Sequence, residues 1–178
     1  MTTDQLLSAA REAGFKDPAI IPTHAIVFDP SFRPYCGENR CGQYGANYSC
    51  PPECGSPEEM RERILAFDRA MVLRSTWDID GYQDYETIRK AKRSHNETML
   101  RLCDGLRSEG TACLMGGASQ CILCEKCTLP AGEPCRFPEK RFSCLSAYCI
   151  HVAKLAEAAG MDFSWSDRKM SLYGLIAF

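Results

Sequence analysis

The chain has 178 residues, 45% of them hydrophobic and 25% charged, with a formal net charge of −2. That length fits one soluble domain, 1–178, with its own core. The charge balance leaves no basic footprint for nucleic acid, and no apolar run approaches the roughly 20 residues that span a bilayer.

The opening MTTDQLLSAAREAG carries an acid and no long apolar stretch, so no secretory signal is expected. The expected location is the cytoplasm, a reducing compartment where structural disulfides are rare. A first helix is expected over Thr3–Ala13: Thr2 and Gln5 have capping-box spacing, Gly14 suits the stop, and Leu6, Leu7, Ala10 and Ala13 form a stripe. A short strand is expected at Ala25–Phe28. Ser56-Pro57-Glu58-Glu59 supplies a cap, a first-turn proline and two acids for a second helix ending near Phe67. RAMVLRS, 69–75, reads as a buried strand. A long helix over 84–108 follows from Ile88, Ala91, His95, Met99, Leu102 and Leu106. TACLMGG, 111–117, reads as a strand. A last helix is expected over 144–159, with Leu145, Tyr148, Cys149, Val152, Leu155 and Ala159 facing inward, and SLYGLIAF closes the chain as a strand. Strands alternating with helices predict an α/β layer structure with about four strands; α+β is the alternative.

Twelve cysteines dominate the chemistry. In a reducing compartment such a density points to thiolate metal ligands, with a disulfide-rich secreted fold as the competing reading. The run CILCEKCTLPAGEPC places Cys121, Cys124, Cys127 and Cys135 at C-x2-C-x2-C-x7-C. Three closely set thiolates can each reach a different iron of a cubane, and a fourth comes from further along, as in the opening of bacterial ferredoxin runs. Zinc sites favour paired knuckles instead, so a cluster is the better reading and zinc the alternative. Gly116 and Gly117 permit close backbone approach, and Pro130 and Pro134 stiffen the loop. Arg136, Lys140 and Arg141 are either ordinary surface cations or offsets to cluster charge.

The earlier run CGENRCGQYGANYSCPPEC sets Cys36, Cys41, Cys50 and Cys54 at C-x4-C-x8-C-x3-C, enough for one tetrahedral zinc or one cluster. Its glycines and prolines mark irregular backbone. One or two of these cysteines could instead be buried apolar fillers, and Cys54 is the weakest ligand candidate. Tyr35, Tyr44 and Tyr48 are expected to shield the site or pack beneath it.

The segments NRCGQYGANYSCPPEC and CILCEKCTLPAGEPCRFPEKRFSCLSAYC resemble a family of predicted metal-binding, cysteine-rich proteins common in anaerobic microbes, defined as a domain of unknown function. The resemblance covers most of the chain. It matches at Cys36, Cys41, Cys50, Cys121, Cys124, Cys127, Cys135, Pro51, Pro52, Arg136 and Pro138. It implies metal binding by cysteine, with iron–sulfur clusters the usual suspicion, and brings no enzyme activity with it. Cys54, Cys144 and Cys149 depart from it, which leaves the fourth ligand of the first site open.

Cys103, Cys113 and Cys149 read as core. Cys144, expected at a helix N-terminus, is a core thiol, a redox-active thiol or a substitute for Cys135. His95 reads as a hydrogen-bonded core histidine; His24 and His151 have no partner at ligand spacing, and Asp78 and Asp80 read as solvated. No Ser–His–Asp or Cys–His arrangement and no phosphate-cradling glycine loop is present. The expected function is electron transfer through one or two [4Fe-4S] clusters to a redox partner protein or enzyme, without nucleic acid or membrane. A redox enzyme with a substrate-accessible cluster, or a zinc-binding structural or regulatory protein, are the alternatives.

Overall fold

The computed structural model describes residues 2–178. Helix α1 (Thr3–Glu12) opens on the expected capping box: Thr2 Oγ1 accepts from Gln5 N at 3.3 Å while Gln5 Oε1 accepts from Thr2 N at 2.7 Å. Leu6 and Ala10 are its buried residues, and Gly14 turns the chain with a positive φ.

Strand β1 (Lys16–Pro22) follows at once, earlier than the expected strand at Ala25–Phe28. In that stretch Thr23–Ala25 forms a single 3-10 turn, and Phe28 makes only an isolated bridge to Ile150. Pro18 and Pro22 hide β1 in the sequence. They are tolerated because β1 is an edge strand that pairs on one side only, with β2 (Arg69–Asp78).

A short helix, α2 (Arg33–Gly37), enters the first cysteine loop, and α3 (Pro57–Leu65) leaves it from a second capping box between Ser56 and Glu59. Helix α4 (Tyr85–Ser108), capped by Asp84, matches its expected span. Strand β3 (Leu114–Gly117) leads into the second cysteine loop. The loop returns through β4 (Ser143–Cys144), and β5 (Lys169–Ala177) lies at the centre of the sheet.

The predicted helix over 144–159 survives only in its second half, as α5 (Val152–Ala158). Cys149 adopts a left-handed φ of 56°, which no helix accommodates. The flanking backbone is committed elsewhere: Cys149 O accepts from Asp29 N at 2.7 Å, and His151 N donates to Val27 O at 2.9 Å. The apolar spacing of Leu145, Tyr148 and Cys149 recorded burial rather than helix.

The result is a five-stranded mixed sheet in the order β1-β2-β5-β3-β4, one strand more than expected, in an α/β-type fold. All pairs are antiparallel except β3 with β4. Side chains alternate across it with the period of two that a strand imposes. Ala70, Val72, Tyr173 and Leu175 pack on α3 and α5 through Met60, Ile64, Leu155 and Ala156. Met71, Leu73 and Ile176 pack on α1 and α4 through Leu6, Ala10, Met99, Cys103 and Leu106. At two points the layers touch through glycine. A Cβ on Gly174 would collide with Met99 Sδ, and one on Gly117 would come within 2.7 Å of Asn96 Oδ1 and 2.8 Å of the Phe142 ring.

His95 is the core histidine the pattern implied, 1% exposed with Phe15 edge-on at 5.2 Å between ring centroids. Ser75 Oγ accepts from Trp77 Nε1 at 2.9 Å and meets His95 Nδ1 at 2.7 Å. The other ring nitrogen, Nε2, is buried without a partner. Burial lowers the imidazole pKa from 6.5 to about 4. The unfolded chain thus binds this proton first, so the contribution is flat above pH 6.5 and stability falls as pH drops from there toward 4. The fold is expected to lose roughly 2 kcal/mol between pH 6.5 and 5 from this residue. Urea midpoints at the two pH values, compared with those of His95→Gln, check it: the variant is expected to show a smaller loss.

Candidate metal centres

The second cysteine loop is tied down before its first ligand candidate. Buried Asn96 of α4 accepts from Ala118 N at 2.9 Å and donates to Ser119 Oγ at 2.9 Å, fixing the exit from β3. Further on, Thr128 Oγ1 donates to Pro134 O at 2.8 Å, and Thr128 O receives the amides of Ala131 and Glu133. The bend between Cys127 and Cys135 therefore has a set shape. Gly132 turns it with a φ of 69°.

Cys121, Cys124, Cys127 and Cys135 are all half-buried and line one cavity of about 270 Å³. Burial raises the Cys121 thiol above its ordinary pKa. The amides of Leu123 and Phe142 pull it back down by donating to its sulfur, and the neighbouring Cys135 and Cys124 push it up again. Four thiols round a common space, one of them already receiving two backbone N–H groups, suit a thiolate-held cluster. Of the three cations flagged in the sequence, Arg141 lines this cavity, 5.8 Å over the Tyr48 ring. Lys140 instead pairs with Asp104 at 3.0 Å. Arg136 is exposed beside Cys127.

The first loop is latched onto the second. Buried Ser49 accepts from Cys121 N at 3.0 Å and donates to Asn47 Oδ1 at 2.6 Å. Tyr48 donates to Glu133 O at 2.8 Å. Tyr48 thus packs between the loops as expected, whereas Tyr35 and Tyr44 are exposed. Ser49→Ala leaves the Cys121 amide and the Asn47 carbonyl each short of a partner. The expected cost is about 1–2 kcal/mol, with faster metal loss from the Cys121 loop when the variant is challenged with a chelator.

Within the first loop, Cys36 rides on α2, Cys41 is exposed, and Cys50 and Cys54 are buried. Burial raises the thiols of Cys36, Cys50 and Cys54. Arg33 offsets this for Cys36 and Cys54, as do Asn47 and Ser49 for Cys50. Metal ligation here has to displace protons, so affinity should rise with pH.

The sequence reading missed two further members of this neighbourhood. Cys144 is not at a helix N-terminus but on β4, paired with Gly117; burial pushes its thiol up to about 12, the amides of Ala147 and Ser146 oppose this, and the charges of Cys50 and Cys36 add to it. Cys149 is core, as read, but lies in the turn before α5, where its thiol hydrogen-bonds with Arg33. Arg33 Nη1 donates to Gly55 O at 2.8 Å and to Cys54 Sγ at 3.8 Å, and Nη2 donates to Ala147 O at 2.7 Å. Burial opposes the guanidinium charge, but Cys149, Cys54 and Cys36 reverse that and raise its pKa.

All twelve cysteines are free thiols, and among the described residues no three His, Cys, Asp or Glu side chains converge as they would on a single metal ion. Cys103 and Cys113, read separately as core, lie together. Cys113 Sγ donates to Cys103 O at 3.7 Å, and the two thiols interact so that Cys113 is lowered to about 7 while Cys103 is raised. Asp78 and Asp80 are exposed, as read, with Asp80 facing Arg168 at 3.5 Å, and His151 caps α5. Among the described residues no helix is long and apolar enough to cross a membrane.

The fold is thus an α/β sheet carrying two cysteine-rich loops, one between α2 and α3 and one between β3 and β4. The chain belongs to the predicted metal-binding protein family DUF2284, whose model matches residues 19–178. No curated protein and no solved structure matches it.

Proposed function

We propose that the protein is an iron–sulfur electron-transfer or redox accessory protein carrying one or two [4Fe-4S] clusters. The first is held by Cys121, Cys124, Cys127 and Cys135. The second is held by Cys36, Cys41 and Cys50 and a fourth thiol. The observation that carries this reading is the shared cavity of Cys121, Cys124, Cys127 and Cys135. A cubane takes its thiolates at separate corners rather than at one point, and this loop spreads them round a common space.

When bound, such a cluster supplies one-electron redox chemistry. The chain's own residues do the rest. The amides of Leu123 and Phe142 donate to the Cys121 sulfur, which stabilises its charge and tunes a potential. Arg141 places a positive charge at the cavity wall. The latch between the loops at Ser49 fixes how the two loops lie against each other. A redox protein or enzyme in a reducing compartment is the partner this chemistry requires.

A second reading, a redox enzyme with a substrate-accessible cluster, is favoured by Arg93 and Gln120, polar side chains that line the same cavity without a metal-ligand role. Anaerobic purification followed by iron, sulfide and zinc analysis tests both. Stoichiometric iron and sulfide with a visible charge-transfer band support a cluster, and zinc without sulfide defeats it. Reversible reduction without added substrate supports a carrier, and bleaching only with substrate supports the enzyme.

A further inference from the structure

The segment between β4 and α5 supplies cysteines that the first loop does not account for. We infer that Cys144 is the fourth ligand of the first centre, beside Cys36, Cys41 and Cys50, and that Cys54 and Cys149 remain unligated thiols braced by Arg33. This rests on the cluster reading above and names the ligands of one of its sites.

Three observations carry it. Cys144 is held in the sheet by the parallel pairing of Gly116–Gly117 with Ser143–Cys144, so its sulfur is offered from a rigid element. Its thiol is coupled electrostatically to Cys50 and Cys36, and Arg33, three residues before Cys36, donates to Ala147 O, three residues after Cys144, at 2.7 Å. Cys144 also keeps some accessible surface.

Cys54 has the opposite character. It is 1% exposed and packs in the apolar cluster with Met60 and Ile64. Its sulfur donates to Gly55 O at 3.8 Å, as a protonated thiol does, and accepts from Arg33 at 3.8 Å. Cys149 is equally buried, and its thiol is engaged by the same guanidinium. Arg33 bonds to Gly55 O on one side and Ala147 O on the other, so it ties the Cys144–Cys149 turn to the end of the first loop. The backbone exchange of Asp29 N with Cys149 O and of His151 N with Val27 O fastens the same junction. The first centre is thus assembled from two distant stretches of chain. Ligation at Cys144 forms one sulfur–metal bond and releases the thiol proton to solvent, with no change of oxidation state.

The test compares wild type with Cys144→Ala, Cys54→Ala and Cys149→Ala, each purified anaerobically. Iron and sulfide per chain are measured, and EPR spectra are taken after dithionite reduction. Cys144→Ala is expected to lose roughly half of the iron of a two-cluster protein, or to convert one centre to a three-iron signal. Cys54→Ala and Cys149→Ala are expected to keep wild-type iron and spectra. The signal of the Cys121 loop reports that each variant is folded. Should Cys144→Ala be insoluble, Cys144→Ser keeps the shape and is expected to shift the g-values of one centre. Unchanged iron and spectra in the Cys144 variant, or loss of a centre in Cys54→Ala with none in Cys144→Ala, overturns the assignment. A wild type that binds no iron defeats the cluster reading itself, whereas an iron-loaded wild type matched by the Cys144 variant defeats only the ligand assignment.

Discussion

Cys124→Ser is expected to lose one whole metal centre, about half of the bound metal in a two-centre protein, and to unfold at markedly lower denaturant. Cys124 is the middle of three thiols spaced two residues apart, and it shares its cavity with Cys121, Cys127 and Cys135. Serine is nearly the same size, so the packing of this half-buried position barely changes; what is lost is the soft anionic donor. The second loop has little else to hold it. Between Cys121 and Cys135 its only regular structure is the 3-10 turn at Leu129–Ala131, and apart from the latch to Ser49 and Tyr48 its hydrogen bonds are local. Metal that binds only the folded loop stabilises it by mass action, about 4 kcal/mol at a thousandfold excess over Kd. Metal analysis and a urea titration, both under anaerobic conditions, check the two halves of the expectation. Full metal content in the variant would remove Cys124 from the ligand set.

The effect should be local because the two loops were built differently, and that difference also decides what could be read from the sequence. The C-x2-C-x2-C run announces itself because its ligands are near neighbours and each thiolate is placed by the turn that precedes it. The first site does not, because Cys144 is brought to it by strand pairing with Gly117, across about ninety residues from Cys50. Helices with caps named in the sequence were legible to within two residues: Thr2 with Gln5 and Ser56 with Glu59 each open a helix where the pattern placed one. What misled was apolar spacing without a cap. Leu145, Tyr148 and Cys149 fall at helical intervals, yet Ala147 and Ile150 are buried as well, so periodicity carried no conformational information there. Strand β1 failed for the converse reason: two prolines argue against a strand in general but not at a sheet edge. Cys103 and Cys113 are a milder case. Cys103 is core as read and Cys113 is half-buried against it, and only the packing of the end of α4 beside the chain entering β3 makes them a pair.

Arg33 is the residue whose loss should most damage the first site without removing a sulfur. Its guanidinium reaches Gly55 O, Ala147 O and two thiols, from Cys54 and Cys149, a division of bonds that only a planar fork can make. Arg33→Met keeps the apolar stem but leaves both carbonyls without this donor, and Ala147 is fully buried. Hydrogen bonds to a charged donor contribute about 1.5–3 kcal/mol each. Because Arg33 is half-exposed, the lower end applies to its two carbonyl bonds, so the expected loss is about 3 kcal/mol. Arg33→Lys restores charge but not the fork: one ammonium on a flexible stem can satisfy one side of the junction, and about half of the stability should return. The separation of charge from geometry shows in the metal. If the guanidinium acts mainly by offsetting the negative charge of a thiolate-held centre, lysine restores metal retention as well as methionine loses it. If it acts by holding the Ala147 turn against Gly55, both variants release metal from the first site faster than wild type, while the Cys121 loop keeps its own. Two short bonds to backbone carbonyls, at 2.8 and 2.7 Å against 3.8 Å to sulfur, favour the second outcome: in this fold the arginine is first a fastening between two stretches of chain, and the charge it brings to the thiols comes with that position.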